Sequence, residues 1–171
     1  MVGTVNSFYI GIIATVIATA LGTLAALGLS RPHMPYKGLI MAILISPMIV
    51  PLIITAAGMF FFYARINLVY TFTGVILAHV ALATPFVVIT VTATLVGFDM
   101  NMVKAAQSLG AKPMRTFFKV IMPLILPGII SGALFAFITS FDEVVVVMFM
   151  ASIDQLTIPK QMWAGIRQEI S

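Results

Sequence analysis

The chain has 171 residues, of which 61% are hydrophobic and only 8% charged. A soluble domain carries about 25% charged residues, so this composition cannot clothe a water-facing surface. The formal net charge is +4. In a chain this apolar, loop basicity reads as membrane orientation and not as nucleic-acid binding.

Residues 1–30, 38–64, 66–98 and 120–141 contain no Asp, Glu, Lys or Arg. A helix needs roughly 20 apolar residues to cross the hydrocarbon core, and each run is long enough. Strands of a membrane barrel alternate polar and apolar residues, whereas runs such as Leu39–Ile45 do not. The predicted class is all-α: a polytopic transmembrane helical bundle with four spans and an outer amphipathic segment.

The first run has no basic residue before Arg31. A secretory signal opens on a basic segment, so a permanent span is expected here. Ala14, Ala18, Gly22 and Ala26 recur every four residues, with Gly11, Thr15, Thr19 and Thr23 in an adjoining row. Small side chains at this spacing let helix backbones approach closely, which places the helix inside a bundle. The second run contains Pro47 and Pro51, the third Pro85, and the fourth begins at Pro123 and Pro127. Proline removes a donor and kinks a helix, and freed carbonyls at such kinks can line a cavity.

Successive spans alternate in direction, so loops 31–37 and 99–119 share one side. Together they hold six of the nine basic residues: Arg31, Lys37, Lys104, Lys112, Arg115 and Lys119. The positive-inside tendency makes these loops cytoplasmic and places both chain ends outside. The run Val144–Ile153 is too short to cross and suits a re-entrant or interfacial segment. From Thr157, residues Ile158, Met162, Ile166 and Ile170 share one helical face, with Lys160, Arg167 and Glu169 elsewhere. Pro159 suits the first turn and Trp163 the headgroup level, so an amphipathic helix on the outer surface is expected.

Catalytic chemistry is not in view. His33 sits in a basic loop, and His79 has no carboxylate or second histidine within helical reach, so it reads as a hydrogen-bonded bundle residue. There is no HExxH, GxSxG or Walker-type motif. The chain has no cysteine, so no disulfide or thiolate metal site is available. No cofactor or metal is expected, and any ATP used must bind to another chain.

The informative loop runs Lys104-Ala105-Ala106-Gln107-Ser108-Leu109-Gly110, then nine residues on to Val120-Ile121-Met122-Pro123. It reads as a short helix stopped by a left-handed Gly110, with Lys112, Arg115 and Lys119 at helical spacing as the chain re-enters the membrane. Physics alone leaves two readings open: a rigid, small-faced helix that a partner closes around, or a solvated basic loop.

This segment resembles the EAA loop of ABC-importer inner-membrane permeases, the binding-protein-dependent transport family. The family pattern is Glu-Ala-Ala, three residues, Gly, nine residues, Ile, any residue, Leu-Pro. Ala105, Ala106, Gly110 and Pro123 match in residue and spacing, Val120 and Met122 depart conservatively, and Lys104 replaces the usual Glu. Phe141–Val146 and Leu156–Arg167 resemble the permease subunits of spermidine/putrescine importers. The resemblance implies a fragment of a six-span permease domain over 1–171, with the first and last spans missing. It implies a sister permease subunit, an ATP-binding cassette subunit, an external solute-binding protein and a bacterial inner membrane. Lys104, Ala105, Ala106, Gly110 and Pro123 would then form the ATPase-coupling loop.

Asp142 and Glu143 end the fourth span beside an apolar run. Carboxylates near a low-dielectric wall attract a polyvalent cation more strongly than the same pair in water. The other reading is a solvated helix end. Adjacent helical residues diverge by about 100°, so at most one of the two faces a pathway. The expected function is a polyamine permease. The alternatives are a permease for another small solute such as ferric iron, or a non-functional truncated membrane protein.

Overall fold

The computed structural model describes residues 2–31, 33–97, 99 and 101–169, with side chains from residue 3 to residue 165. Among these residues every regular element is helical: α1 (Val2–Leu29), α2 (Lys37–Ile49), α3 (Leu52–Arg65), α4 (Phe72–Val96), α5 (Asn101–Ser108), α6 (Pro113–Thr116), α7 (Met122–Phe141), α8 (Val145–Met150) and α9 (Ile158–Glu169), with a π-helical turn at Phe117–Ile121 and a 3-10 turn at Ile153–Gln155. This is a multi-pass membrane protein: Gly3–Leu29, Phe72–Val96 and Pro113–Phe141 are each long and apolar enough to cross a bilayer.

The core is a three-helix packing of α1, α4 and α7, with α4 at its centre. Tyr9 of α1 meets Phe72 of α4 edge-on, with ring centroids 5.8 Å apart. A Cβ on Gly22 would lie 2.6 Å from Val87 Cβ. Positions 9 and 22 of α1 therefore lie beside 72 and 87 of α4, and the two helices run parallel. On α7, Gly128 packs against Thr94 and Gly132 against Val87 and Thr90, while Phe137 packs against Gly11 of α1, so α7 runs antiparallel to both. Ala14, Ala18, Gly22 and Ala26 are all buried, as their spacing predicts.

The parallel pairing of α1 and α4 has a topological consequence. The chain between them must return from one face of the bundle to the other. That return is made by α2 and α3, which are bent by 107° at a short break. The single second span expected from the sequence is thus two helices. The cause is Pro51, which has no N–H to donate and forces the residue before it out of helical geometry. Val50 accordingly adopts φ −72°, ψ 135°. Helix α4 runs through Pro85 and α7 through Pro127 without interruption, so proline content alone does not decide where a span breaks.

The last span also starts earlier than the hydropathy implies, at Pro113 and not near residue 120. Pro123 explains the π turn inside it. A proline ring clashes with the carbonyl four residues back in a regular helix. Widening the turn lets the Met122 N–H reach Phe117 O instead, which relieves that crowding.

Candidate functional site

Two regions at opposite ends of the bundle carry the features singled out in the sequence. The first is the loop between α4 and α7. Helix α5 ends in a Schellman motif: Ala111 N–H donates to Ala106 O at 3.0 Å and Gly110 N–H to Gln107 O at 2.9 Å. Gly110 has φ +80°, a backbone state that glycine enters without a Cβ penalty. Val103 is buried and holds α5 down, while Lys104, Ala105 and Gly110 are exposed and Ala106 is half-buried. A groove of about 320 Å³ between α5 and the start of the last span is lined by Ala106, Gly110, Arg115 and Lys119 among others. Pro123 stands apart from it in the first turn of α7. Of the three basic residues expected on one face, Arg115 and Lys119 line this groove and Lys112 does not, and the π turn at Phe117–Ile121 interrupts the regular helical stripe.

The second region is where α7 ends. Asp142 is exposed and Glu143 is 7% exposed, so the structure separates two carboxylates that the sequence leaves equivalent. Glu143 Oε1 accepts from Val146 N–H at 2.8 Å and so caps α8. Burial pushes its carboxyl above the usual carboxylate range, and the Val146 and Val145 amides oppose that rise. Glu143 also lines a cavity of about 410 Å³ whose other walls are residues 47–52 of the broken span, Leu82 and Phe86 of α4, and Thr139 of α7. A neighbouring cavity of about 440 Å³ shares Leu52, Thr139 and Glu143 and adds Asp142.

A match to a family model decides the identity. Residues 8–171 match the model described as "Binding-protein-dependent transport system inner membrane component". The chain belongs to that family. Several curated proteins are similar to this inner-membrane component. It is 30% identical over 167 residues to the spermidine/putrescine transport system permease protein PotC of Haemophilus influenzae, covering 98% of this chain and 65% of that protein. It is 28% identical over 173 residues to the putrescine transport system permease protein PotI of Escherichia coli K12, covering 96% and 61%. It is 32% identical over 148 residues to the trehalose transport system permease protein SugB of Mycobacterium tuberculosis, covering 86% and 54%. The chain therefore spans just under two thirds of the length of the two polyamine relatives and about half of the third.

In this inner-membrane component, α8 is the segment expected to be re-entrant or interfacial. It is a short buried helix: Val146, Val147 and Met150 are fully enclosed, and it packs on α3 and α4. Lys160 Nζ donates to Ala151 O at 3.0 Å and to Val147 O at 3.3 Å. The helix thus has a carboxylate at its N-terminus and an ammonium at its C-terminus, the arrangement its dipole favours. The segment that follows is tied to the start of α1. Asn6 Nδ2 donates to Asp154 O at 2.8 Å and Leu156 O at 3.0 Å, and Ile158 N–H donates to Ser7 Oγ at 2.9 Å. Sequence reasoning placed Lys160 only off the apolar face of the last helix, and missed Asn6 and Ser7. The only signal was a polar pair at the head of an otherwise apolar run.

Helix α9 forms from Ile158 with Pro159 in its first turn, and Met162 and Trp163 are exposed. The side chains of Ile166, Arg167, Glu169 and Ile170, part of the expected amphipathic pattern, lie outside the described residues. His79 is buried as expected, with Nδ1 2.7 Å from Ser140 Oγ. Among the described residues no group of three His, Cys, Asp or Glu could hold a metal ion.

Proposed function

We propose that this chain is part of the permease of an ATP-driven importer that carries polyamines across the bacterial inner membrane. The buried Glu143 on the wall of a cavity carries the substrate assignment. A carboxylate removed from water at the end of a membrane bundle gains most by meeting a cation. The polyamine names of two relatives support the same reading. The trehalose relative favours a second reading, a neutral sugar, for which a buried carboxylate offers hydrogen bonding but no charge complement.

ATP is hydrolysed in a separate ATP-binding cassette subunit, and a sister permease and an external solute-binding protein complete the importer. Lys104, Ala105, Ala106 and Gly110, with Pro123 at the base of α7, form the coupling loop on the cytoplasmic side. Closure of the ATPase dimer pulls on α5. The hydrogen-bonded Schellman end passes that movement to α6 and α7, and the spans rock between inward- and outward-open states. The exposed, low-profile alanine face of α5 and its firm C-terminal stop support this role.

The test is uptake by the transporter assembled from this permease and its partner subunits in proteoliposomes. Labelled spermidine and putrescine should enter with ATP, and labelled trehalose should not. ATP-dependent trehalose uptake without polyamine uptake overturns the polyamine reading in favour of the second.

A further inference from the structure

Helices α1 and α7 meet closely at one end of the bundle and part toward the other. Where they meet, the rings of Phe8 and Phe141 lie 5.3 Å apart, and Phe137 stacks on Phe141 at 5.5 Å. Toward the Arg31 end the walls include short side chains, Thr15, Thr19, Ala20 and Thr23 of α1 and Ala133 of α7, and a groove of about 640 Å³ stays open between the helices. Leu27 and Phe118 line it near Arg31. From Thr15 to Leu27 the groove runs about 18 Å at the helical rise of 1.5 Å per residue. Half of a roughly 30 Å hydrocarbon core is about 15 Å, so the groove is as deep as one leaflet.

The wall is hydrocarbon. Thr15 Oγ1 donates back to Gly11 O at 2.7 Å, and the hydroxyl oxygens of Thr19 and Thr23 are buried, so these threonines show the groove their methyl groups. A neighbouring membrane helix would draw on such hydroxyls for hydrogen bonds, and it would pack along the whole span, whereas the aromatic cluster closes the other half. The Arg31 end is polar. On α1, Ala20, Leu24, Leu27 and Arg31 follow at helical spacing on one face, and the turn continues to Arg31, whose N–H donates to Gly28 O at 3.2 Å. A second cavity, of about 560 Å³, lies at this end and is lined by Gly28, Arg31 and His33 among others. Arg31 is exposed, and the chain has no Asp or Glu before Asp99, so no carboxylate nearby in sequence answers its charge. A guanidinium binds phosphate oxygens in pairs.

We propose that the groove between α1 and α7 is a lipid site: it holds an acyl chain of one anionic phospholipid, whose headgroup phosphate binds Arg31. The one-leaflet depth, the hydrocarbon wall and the cation at its mouth match the three parts of that ligand. Charge selects the lipid, because a basic side chain at the membrane surface favours an anionic headgroup over a zwitterionic one. On the orientation proposed above, the lipid belongs to the cytoplasmic leaflet.

The experiment is photocrosslinking from the groove. The chain carrying Phe118→benzoylphenylalanine is assembled with its partner subunits in vesicles of equal parts phosphatidylglycerol and phosphatidylcholine, irradiated, and its adducts are weighed by mass spectrometry. Phosphatidylglycerol adducts should outnumber phosphatidylcholine adducts about fivefold, the preference that one basic side chain near the surface gives. Adding Arg31→Gln should abolish the preference, and adding Lys37→Gln, in the same basic loop but outside both cavities, should leave most of it. Where the Phe118 variant does not assemble, Leu24→benzoylphenylalanine serves. Equal labelling of the two lipids, a preference untouched by Arg31→Gln, or an equal fall in Lys37→Gln overturns the site. An adduct to a polypeptide in place of lipid also overturns it, because a protein segment then covers the groove. The readout is lipid and not uptake, so none of these outcomes bears on the polyamine assignment.

Discussion

Glu143 and Lys160 hold opposite ends of one buried helix: the carboxylate accepts from Val146 N–H at 2.8 Å, and the ammonium donates to Ala151 O at 3.0 Å. Helix α8 has only six residues, too few to be stable alone, so its ends depend on these two side chains. A partly buried cation at a helix C-terminus contributes about 1 kcal/mol. Lys160→Met should lower the unfolding free energy of the detergent-solubilised protein by that amount, and Lys160→Arg by less. Equal stability of Lys160→Met and wild type would show that α8 is held by apolar packing alone.

Gly110 makes a prediction about the proposed coupling loop. A Cβ there meets nothing within 4 Å, so any cost of substitution is backbone strain at φ +80° and not a clash. A left-handed residue with a Cβ costs about 1–2 kcal/mol. In the assembled transporter, transport-coupled ATP hydrolysis should fall in the order Gly110→Asn, Gly110→Ala, Gly110→Val, with membrane insertion normal throughout. Asparagine leads because it tolerates this conformation best. Coupling that is indifferent to the series would reduce the loop to a tether.

The close approach of α4 and α7 predicts an asymmetry among glycines. A Cβ on Gly132 would lie 2.9 Å from Val87 Cα, a backbone atom that cannot swing aside, whereas one on Gly28 meets nothing within 4 Å. Gly132→Ala should destabilise the bundle by about 1–3 kcal/mol. Gly28→Ala, inside α1, should be neutral or stabilise it by up to about 1 kcal/mol. Denaturant titration in mixed micelles measures both, and equal values would contradict the packing described.

Sidedness is testable by cysteine labelling, for which the chain starts clean, having no cysteine of its own. Ser108 is exposed at the end of α5, and Ile153 is 82% exposed at the opposite end of the bundle. An impermeant thiol reagent applied outside intact cells should label Ile153→Cys and spare Ser108→Cys. Ala151 would be a poor reporter because it is buried. The reverse pattern would invert the orientation.

The sequence by itself determined the class of the protein and the order of its crossings. Long uncharged runs, the share of basic residues on alternate loops, the small-residue stripe of α1 and the glycine stop of α5 are local properties. Hydropathy and backbone sterics act over a few residues, so they are legible without a fold. The two prolines of the second span were equally visible, yet α4 and α7 carry prolines and do not break. Pro51 breaks the second span while Pro85 and Pro127 sit inside continuous helices, a difference that only the folded chain shows.

Only the tertiary structure separated Asp142 from Glu143. The two are neighbours with the same charge and the same hydropathy, and no periodicity assigns one to solvent and the other to a cavity wall. Their difference comes from α8 folding back beneath Glu143 and from the broken span standing opposite it. The same holds for Asn6, whose amide binds a carbonyl 148 residues away, and for His79 with Ser140, 61 residues apart. A polar group in an apolar bundle gains by finding a partner, but which partner it finds depends on helix directions and contacts across the whole chain.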